Sequence, residues 1–189
     1  MLVEEQEVAL VLRASLRDHD AFGQLYQLYL DRIFRYVRLK VGNAVEAEDI
    51  TSMVFCNAWR TIHNFSPQRD SSFAAWLFRL AHNAVIDRYR SARKDVSLNS
   101  GERRLAMHLM LPGPEAQVER KLTIIELGAA LKLLTEEQRE VVLLRFVEGL
   151  SAREVGEILG KQEGAVRGMQ FRAIDALRRA MIRRDEAGH

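Results

Sequence analysis

Apolar residues recur at the period of an α-helix through almost every part of this chain that has any pattern, and no segment alternates with the period of two that a half-buried strand needs. In "AFGQLYQLYLDRIFRYVRLKVG", Phe22, Leu25, Tyr29, Ile33, Tyr36 and Val37 fall on one face, with Asp20 as the expected N-cap and Gly42 as the terminator. Asn43 and Glu46 then stand at capping-box spacing before "AEDITSMVFCNAWRTI", which carries Ile50, Val54, Ala58 and Trp59. After the break "HNFSPQRDS", Asp70 or Ser71 is expected to cap a third helix with Phe73, Trp76, Leu77, Leu80 and Ile86 on its apolar face. Trp59 and Trp76 share the apolar spacing and are expected in the core.

The rhythm fails between residues 96 and 117, where Gly101, Pro112 and Pro114 oppose a continuous helix and no strand pattern replaces it. Helical spacing then resumes. One helix is expected from about Glu119 to Leu133, and capping boxes at Thr135/Gln138 and Ser151/Glu154 start two more. Gly149 and Gly160 close them. The expectation is an all-α protein of two small helical domains, 1–95 and 118–189, joined by a flexible linker at 96–117, with a helix-turn-helix in the second domain.

The helix-turn-helix lies in "LSAREVGEILGKQEGAVRGMQFRA". Val155, Ile158 and Leu159 on its first helix, and Val166, Ile174 and Leu177 on its second, are expected to close a core. Arg167, Gln170, Phe171 and Arg172 have no need to lie inside it. Cations and a projecting ring suit a helix entering a DNA major groove, where Arg bonds guanine edges or phosphates and an apolar ring meets a thymine methyl. A helical hairpin that only packs against its neighbours would have the same spacing.

Charge separates these readings further. The net charge is only +2, yet residues 161–184 hold seven bases against two acids and residues 79–94 hold five against one, while the first twenty residues hold five acids against two bases. Two separate basic segments in a nearly neutral chain suit two contacts with a polyanion.

Other chemistries find no support. The single Cys56 excludes an intramolecular disulfide and a Cys-rich zinc site, and its apolar helical setting suggests packing; the five His show no ligand spacing, so no metal is expected. No catalytic constellation and no phosphate-binding glycine fingerprint is present, so neither an enzyme nor a cofactor is expected. The acidic start is wrong for a signal peptide and no apolar run reaches membrane-spanning length, which fits a reducing cytoplasm and no membrane insertion.

The run "LTEEQREVVLLRFVEGLSAREVGEILGKQEGAVRGMQFRAIDALRR" resembles the promoter-binding region of bacterial sigma factors of the extracytoplasmic-function (ECF) group. "AEDITSMVFCNAWRTIHNF" followed by "SSFAAWLFRLAHNAVIDRYRSARK" is similar to that group's other shared region. The resemblance implies that residues 1–95 (sigma region 2) bind the clamp helices of core RNA polymerase and open the −10 promoter element. It implies that residues 118–189 (sigma region 4) bind the polymerase flap and the duplex −35 element.

Residue by residue, it assigns −35 contacts to Arg167, Phe171 and Arg172, with Gln170 and Lys161 as lesser candidates. It places −10 contacts at Phe65 and Asn83, with Arg88, Tyr89, Arg90, Arg93 and Lys94 tracking backbone or stacking on bases, and clamp contacts at Glu46, Glu48 and Asp49. An anti-sigma partner that occludes the domains is also implied. The rival is a helix-turn-helix regulator that is not a polymerase subunit, which would place a strand-bearing sensor in the first half.

Overall fold

The computed structural model describes residues 2–66, 72–96 and 133–187, the side chains of 2–4, 92–96 and 181–187 excepted. Among the described residues there are helices and no strand. The chain divides into two compact units, Met1–His108 and Leu109–His189. The expected connector and the helix expected at 119–133 lie almost entirely outside the described residues, as do the proposed caps Asp70 and Ser71.

The first unit contains α1 (Leu2–Ser15), α2 (His19–Val41), α3 (Ala44–Thr61), a short 3-10 turn (Ile62–Asn64) and α4 (Phe73–Val96). Its core is the apolar stripe of α2 meeting those of α3 and α4. Leu25, Ile33, Tyr36 and Val37 pack with Ile50, Val54, Phe55 and Ala58 and with Phe73, Leu77, Phe78 and Val85, all buried. Each large side chain so removed from water contributes about 1.5–3 kcal/mol before entropy is counted. Edge-on ring contacts, Tyr36 on Phe78 and Tyr29 on Phe73, both at 5.4 Å, fix the rotation of α4 against α2.

Helix α1 was not expected. Its apolar residues point in more than one direction: Val11 and Ala14 are buried, whereas Val8 and Leu12 are exposed. It is tied to α2 by the Tyr29 hydroxyl, which donates to the Glu7 carboxylate at 2.7 Å. Burial, and next the acceptor Glu7, push the Tyr29 phenol above its ordinary range.

The turn after α1 moves the start of α2. Arg17 takes the left-handed conformation, φ 71°, and Asp18, rather than Asp20, becomes the N-cap, its carboxylate accepting from the Ala21 amide at 3.0 Å. That amide, and next Arg13, hold the Asp18 carboxyl below its ordinary value. Arg17 reaches across to donate to the Trp59 carbonyl at 2.8 Å, satisfying a backbone acceptor at the C-terminal end of α3. Its guanidinium also covers the Trp59 ring at 5.4 Å. Trp59 is therefore half-buried at this junction, while Trp76 is in the core as expected.

Three more local expectations change. Ser72 caps α4, its hydroxyl accepting from the Ala75 amide at 3.1 Å. Cys56 is exposed, because it lies opposite the Val54–Ala58 face of α3. At α3 only half of the capping box forms: Asn43 accepts from the Glu46 amide at 3.2 Å, but the Glu46 carboxylate turns to Arg88.

The second unit contains α5 (Glu136–Val142), a π-helical turn that continues it (Leu143–Val147), α6 (Ala152–Leu159) and α7 (Glu163–Ala187). Both expected capping boxes are complete, at Thr135/Gln138 and at Ser151/Glu154. Gly160 closes α6 in the left-handed conformation at φ 64°. The core comprises Val141, Leu143, Leu144, Leu150, Val155 and Ile158 against Val166, Met169 and Ala173. Ile174, expected inside, is 40% exposed. The inward stripe of α7 runs 166, 169, 173, and residue 174 is turned a further 100° around the helix.

Candidate nucleic-acid interface

In the second unit α6, the turn at Gly160 and α7 form the helix-turn-helix. Gly156 permits the close approach of its two helices: a β-carbon there would stand 2.6 Å from the Lys161 carbonyl oxygen, a backbone atom that cannot swing away. The Lys161 amide in turn donates to the Gly156 carbonyl at 2.8 Å. The turn is thus fixed by backbone contact, and the start of α7 is presented rigidly.

On α7, residues 163, 167, 171 and 174 share an outward face, since spacings of three and four bring side chains into register. Arg167 and Phe171 are both exposed, Phe171 by 74%, so an aromatic ring stands in water beside a guanidinium. Arg172 is exposed around the helix from them, and its guanidinium passes over the bare backbone of Gly168, 3.5 Å from where a β-carbon would be. The remaining two sequence candidates are engaged within the fold. Lys161 is ion-paired with Glu137 at 2.8 Å. The Gln170 side-chain oxygen Oε1 accepts from Arg145 Nε at 3.0 Å, and Arg145 also donates to the Leu150 backbone carbonyl. Arg145 lies in the π-helical turn, which widens the helix and sends its side chain toward α7; sequence spacing gave no sign of it.

In the first unit, the basic segment of α4 divides among different surroundings. Asn83 and Arg90 share an exposed face with Asp87, which lies 3.7 Å from Arg90. Arg79, four residues before Asn83, belongs to the same face and was not singled out from the sequence. Arg88 points instead to α3, where its Nε meets the Glu46 carboxylate at 2.9 Å. The Tyr89 hydroxyl donates to the Lys40 carbonyl at 2.7 Å, so its ring is oriented by α2. Phe65, half-buried, sits 5.8 Å from Phe73 and 5.7 Å from Trp76, at the edge of the aromatic core. Glu48 and Asp49 are exposed on the first turns of α3, where acids are favoured by the helix dipole. The side chains of Arg93 and Lys94 lie outside the described residues.

No group of acids, His and Cys among the described residues is suited to hold a metal. No helix among them is long and apolar enough to cross a membrane. What the surfaces offer is guanidinium donors, an amide and an exposed ring on rigid helices, which is chemistry for binding a polyanion with stacked bases.

Comparison with known proteins agrees. Residues 25–95 match the sigma-70 region 2 family and residues 130–179 match the sigma-70 region 4 family. The chain is 40% identical over 173 residues to the ECF RNA polymerase sigma factor BldN of Streptomyces coelicolor, covering 91% of this chain and 64% of that protein's length. It is 32% identical over 171 residues to the ECF RNA polymerase sigma factor SigW of Bacillus subtilis, covering 87% and 90% of the two chains. The solved structure of CnrH in complex with the cytosolic domain of CnrY superimposes with a TM-score of 0.68 at 26% identity, over 93% of this chain and 97% of that one. The regulator reading has no counterpart for the region 2 match. The protein therefore belongs to the ECF group of the sigma-70 family, the RNA polymerase subunits that direct initiation to promoters.

Proposed function

We propose that the two units divide promoter recognition between the residues described above. The second, at 118–189, reads the duplex −35 element. Arg167, Phe171 and Arg172 face the major groove, while Lys161 and Gln170, held by Glu137 and Arg145, support the approach of the backbone. The first, at 1–95, takes the −10 element. Opening it requires a base to leave the stack at a cost of a few kcal/mol, which contacts to the extruded base must offset. Phe65, Asn83, Arg88, Tyr89, Arg90, Arg93 and Lys94 supply those contacts, and Glu46, Glu48 and Asp49 meet the clamp helices. The segment 96–117 connects the two and leaves the flap of the polymerase to the second unit.

The observation that carries this reading is the exposed Arg167–Phe171 face on a helix whose entry is locked by the Gly156–Lys161 backbone contact. The protein acts by binding and positioning, in the cytoplasm, and not as a catalyst. An anti-sigma protein that covers these surfaces fits the family, and CnrH was solved with a domain of CnrY bound.

Run-off transcription with core polymerase and a random promoter library tests the proposal. The expected result is enrichment of one −35/−10 pair, lost at the −35 positions in Arg167→Ala and at the −10 positions in Asn83→Ala. Initiation that is indifferent to both substitutions would overturn the assignment.

A further inference from the structure

Glu163 opens α7 one turn before Arg167, and its Oε1 accepts from Arg167 Nε at 3.0 Å and from Nη2. Glu163 is 43% exposed and Arg167 69%. Taken alone, this is a pair of the i,i+4 kind that modestly supports many helices, on a turn where an acid is already favoured. Its place is what distinguishes it. It occupies the outward face that carries Phe171, at the end of the helix that enters the groove.

We infer that Glu163 is a specificity-determining residue of the −35 contact, one that orients Arg167 for a guanine edge and penalises contact with phosphate. The inference rests on the −35 reading above. A guanidinium has five N–H donors in a rigid plane. Glu163 occupies the side formed by Nε and one hydrogen of Nη2. The donors left over include the parallel pair on Nη1 and Nη2, which is the arrangement that meets guanine O6 and N7 together. The carboxylate thereby fixes the plane of the fork before DNA arrives and reduces the ordering required on binding.

Its charge has a second effect. A carboxylate at the mouth of the groove repels every backbone phosphate, whatever the sequence, and partly neutralises Arg167 toward non-specific DNA. A base pair that satisfies the Nη1/Nη2 edge offsets that repulsion; one that does not leaves it uncompensated. Discrimination then comes as much from the repulsive element as from the attractive one.

The test uses the whole 189-residue chain with core polymerase. Binding is measured to the promoter duplex selected above, to its single-base-pair variants across the −35 element, and to a scrambled duplex of equal length. Glu163→Ala is expected to reduce discrimination at one base pair by roughly five- to tenfold while raising scrambled-duplex affinity by about two- to fivefold. Glu163→Gln, which keeps an acceptor without the charge, is expected to retain most of the base discrimination and still gain scrambled-duplex affinity. In an Arg167→Ala background, Glu163→Ala is expected to leave base discrimination as it finds it. If Arg167→Ala abolishes discrimination at one position and Glu163→Ala does not alter it, the inference fails while the −35 reading stands. If Arg167→Ala has no effect at any −35 position, the −35 reading itself fails. An unchanged melting temperature in each variant separates these outcomes from unfolding.

Discussion

The Glu46 carboxylate and the Arg88 guanidinium meet at 2.9 Å between α3 and α4. A residue assigned to the polymerase and one assigned to DNA are thus held by each other in the free protein. The pair also explains why Asn43 forms only half of its capping box: the acid that would return to the Asn43 amide is drawn away by a cation on the neighbouring helix.

Because one carboxylate cannot serve both partners fully, Glu46→Gln is expected to free Arg88. Binding of the isolated protein to −10 single-stranded DNA should tighten by about 1.4- to fivefold, in line with the ~0.2–1 kcal/mol of a partly exposed pair, and affinity for core polymerase should fall. Fluorescence anisotropy on both ligands measures the two changes. Equal weakening of both would mean that the pair serves only the fold.

Gly156→Ala should destabilise the second unit by roughly 1–3 kcal/mol, the range for forcing extra atoms into a packed site, since the β-carbon meets the Lys161 carbonyl at 2.6 Å. Thermal unfolding of the full chain reports the loss, and −35 duplex affinity should fall with it. Gly164→Ala, where a β-carbon meets nothing within 4 Å, is the matched control and should leave stability unchanged or slightly raised.

Arg17 separates two costs at one position. Arg17→Gly and Arg17→Ala both lose the bond to the Trp59 carbonyl, but only alanine must still hold a positive φ. The glycine variant should therefore be the more stable by about 1 kcal/mol. Urea denaturation of the two variants measures this directly.

Tyr29 makes stability sensitive to alkali. Its folded value lies above the ordinary 10.0, so the unfolded chain gives up the proton first. The contribution is complete below pH 10 and is lost as pH rises from there toward the folded value, by up to ~1.4 kcal/mol per pH unit. Tyr29→Phe should be less stable than the parent at neutral pH and should lack this slope above pH 10. Denaturant midpoints across pH 7–11 provide the comparison.

Much of this was legible in the sequence where the cause was local. The capping boxes at Thr135 and Ser151 depend on residues three apart, and both formed. The stripes of α2 and α4 follow from their period. What was not legible depended on a distant or conformational choice. Asp18 and Asp20 are equally good caps on paper, and the left-handed turn at Arg17 selects the first. Helix α1 lacks a clean stripe, and its placement relies on tertiary contacts such as Glu7–Tyr29. Met169 and Ala173 replaced Ile174 in the core because the inward direction of α7 is set by α5 and α6, and greasiness alone does not reveal it. Among the site residues, the exposed positions Arg167, Phe171 and Arg172 could be read from their misfit with a buried helix. The pairings with Glu163, Glu46, Glu137 and Arg145 could not be located without coordinates, although the Glu163–Arg167 spacing offered a signal.

The π-helical turn at Leu143–Val147 closes a loop of backbone one residue wider than its neighbours, with the Glu148 amide returning to the Leu143 carbonyl. That extra residue acts as a phase shifter. Removing a single amino acid there would let an ordinary helix run on, yet swing everything after it by about 100°, carrying Arg145 off Gln170. A one-residue gap in this short stretch would thus be costlier than a several-residue change in a loop, and relatives that read DNA through the same scaffold should keep the count even where the letters differ.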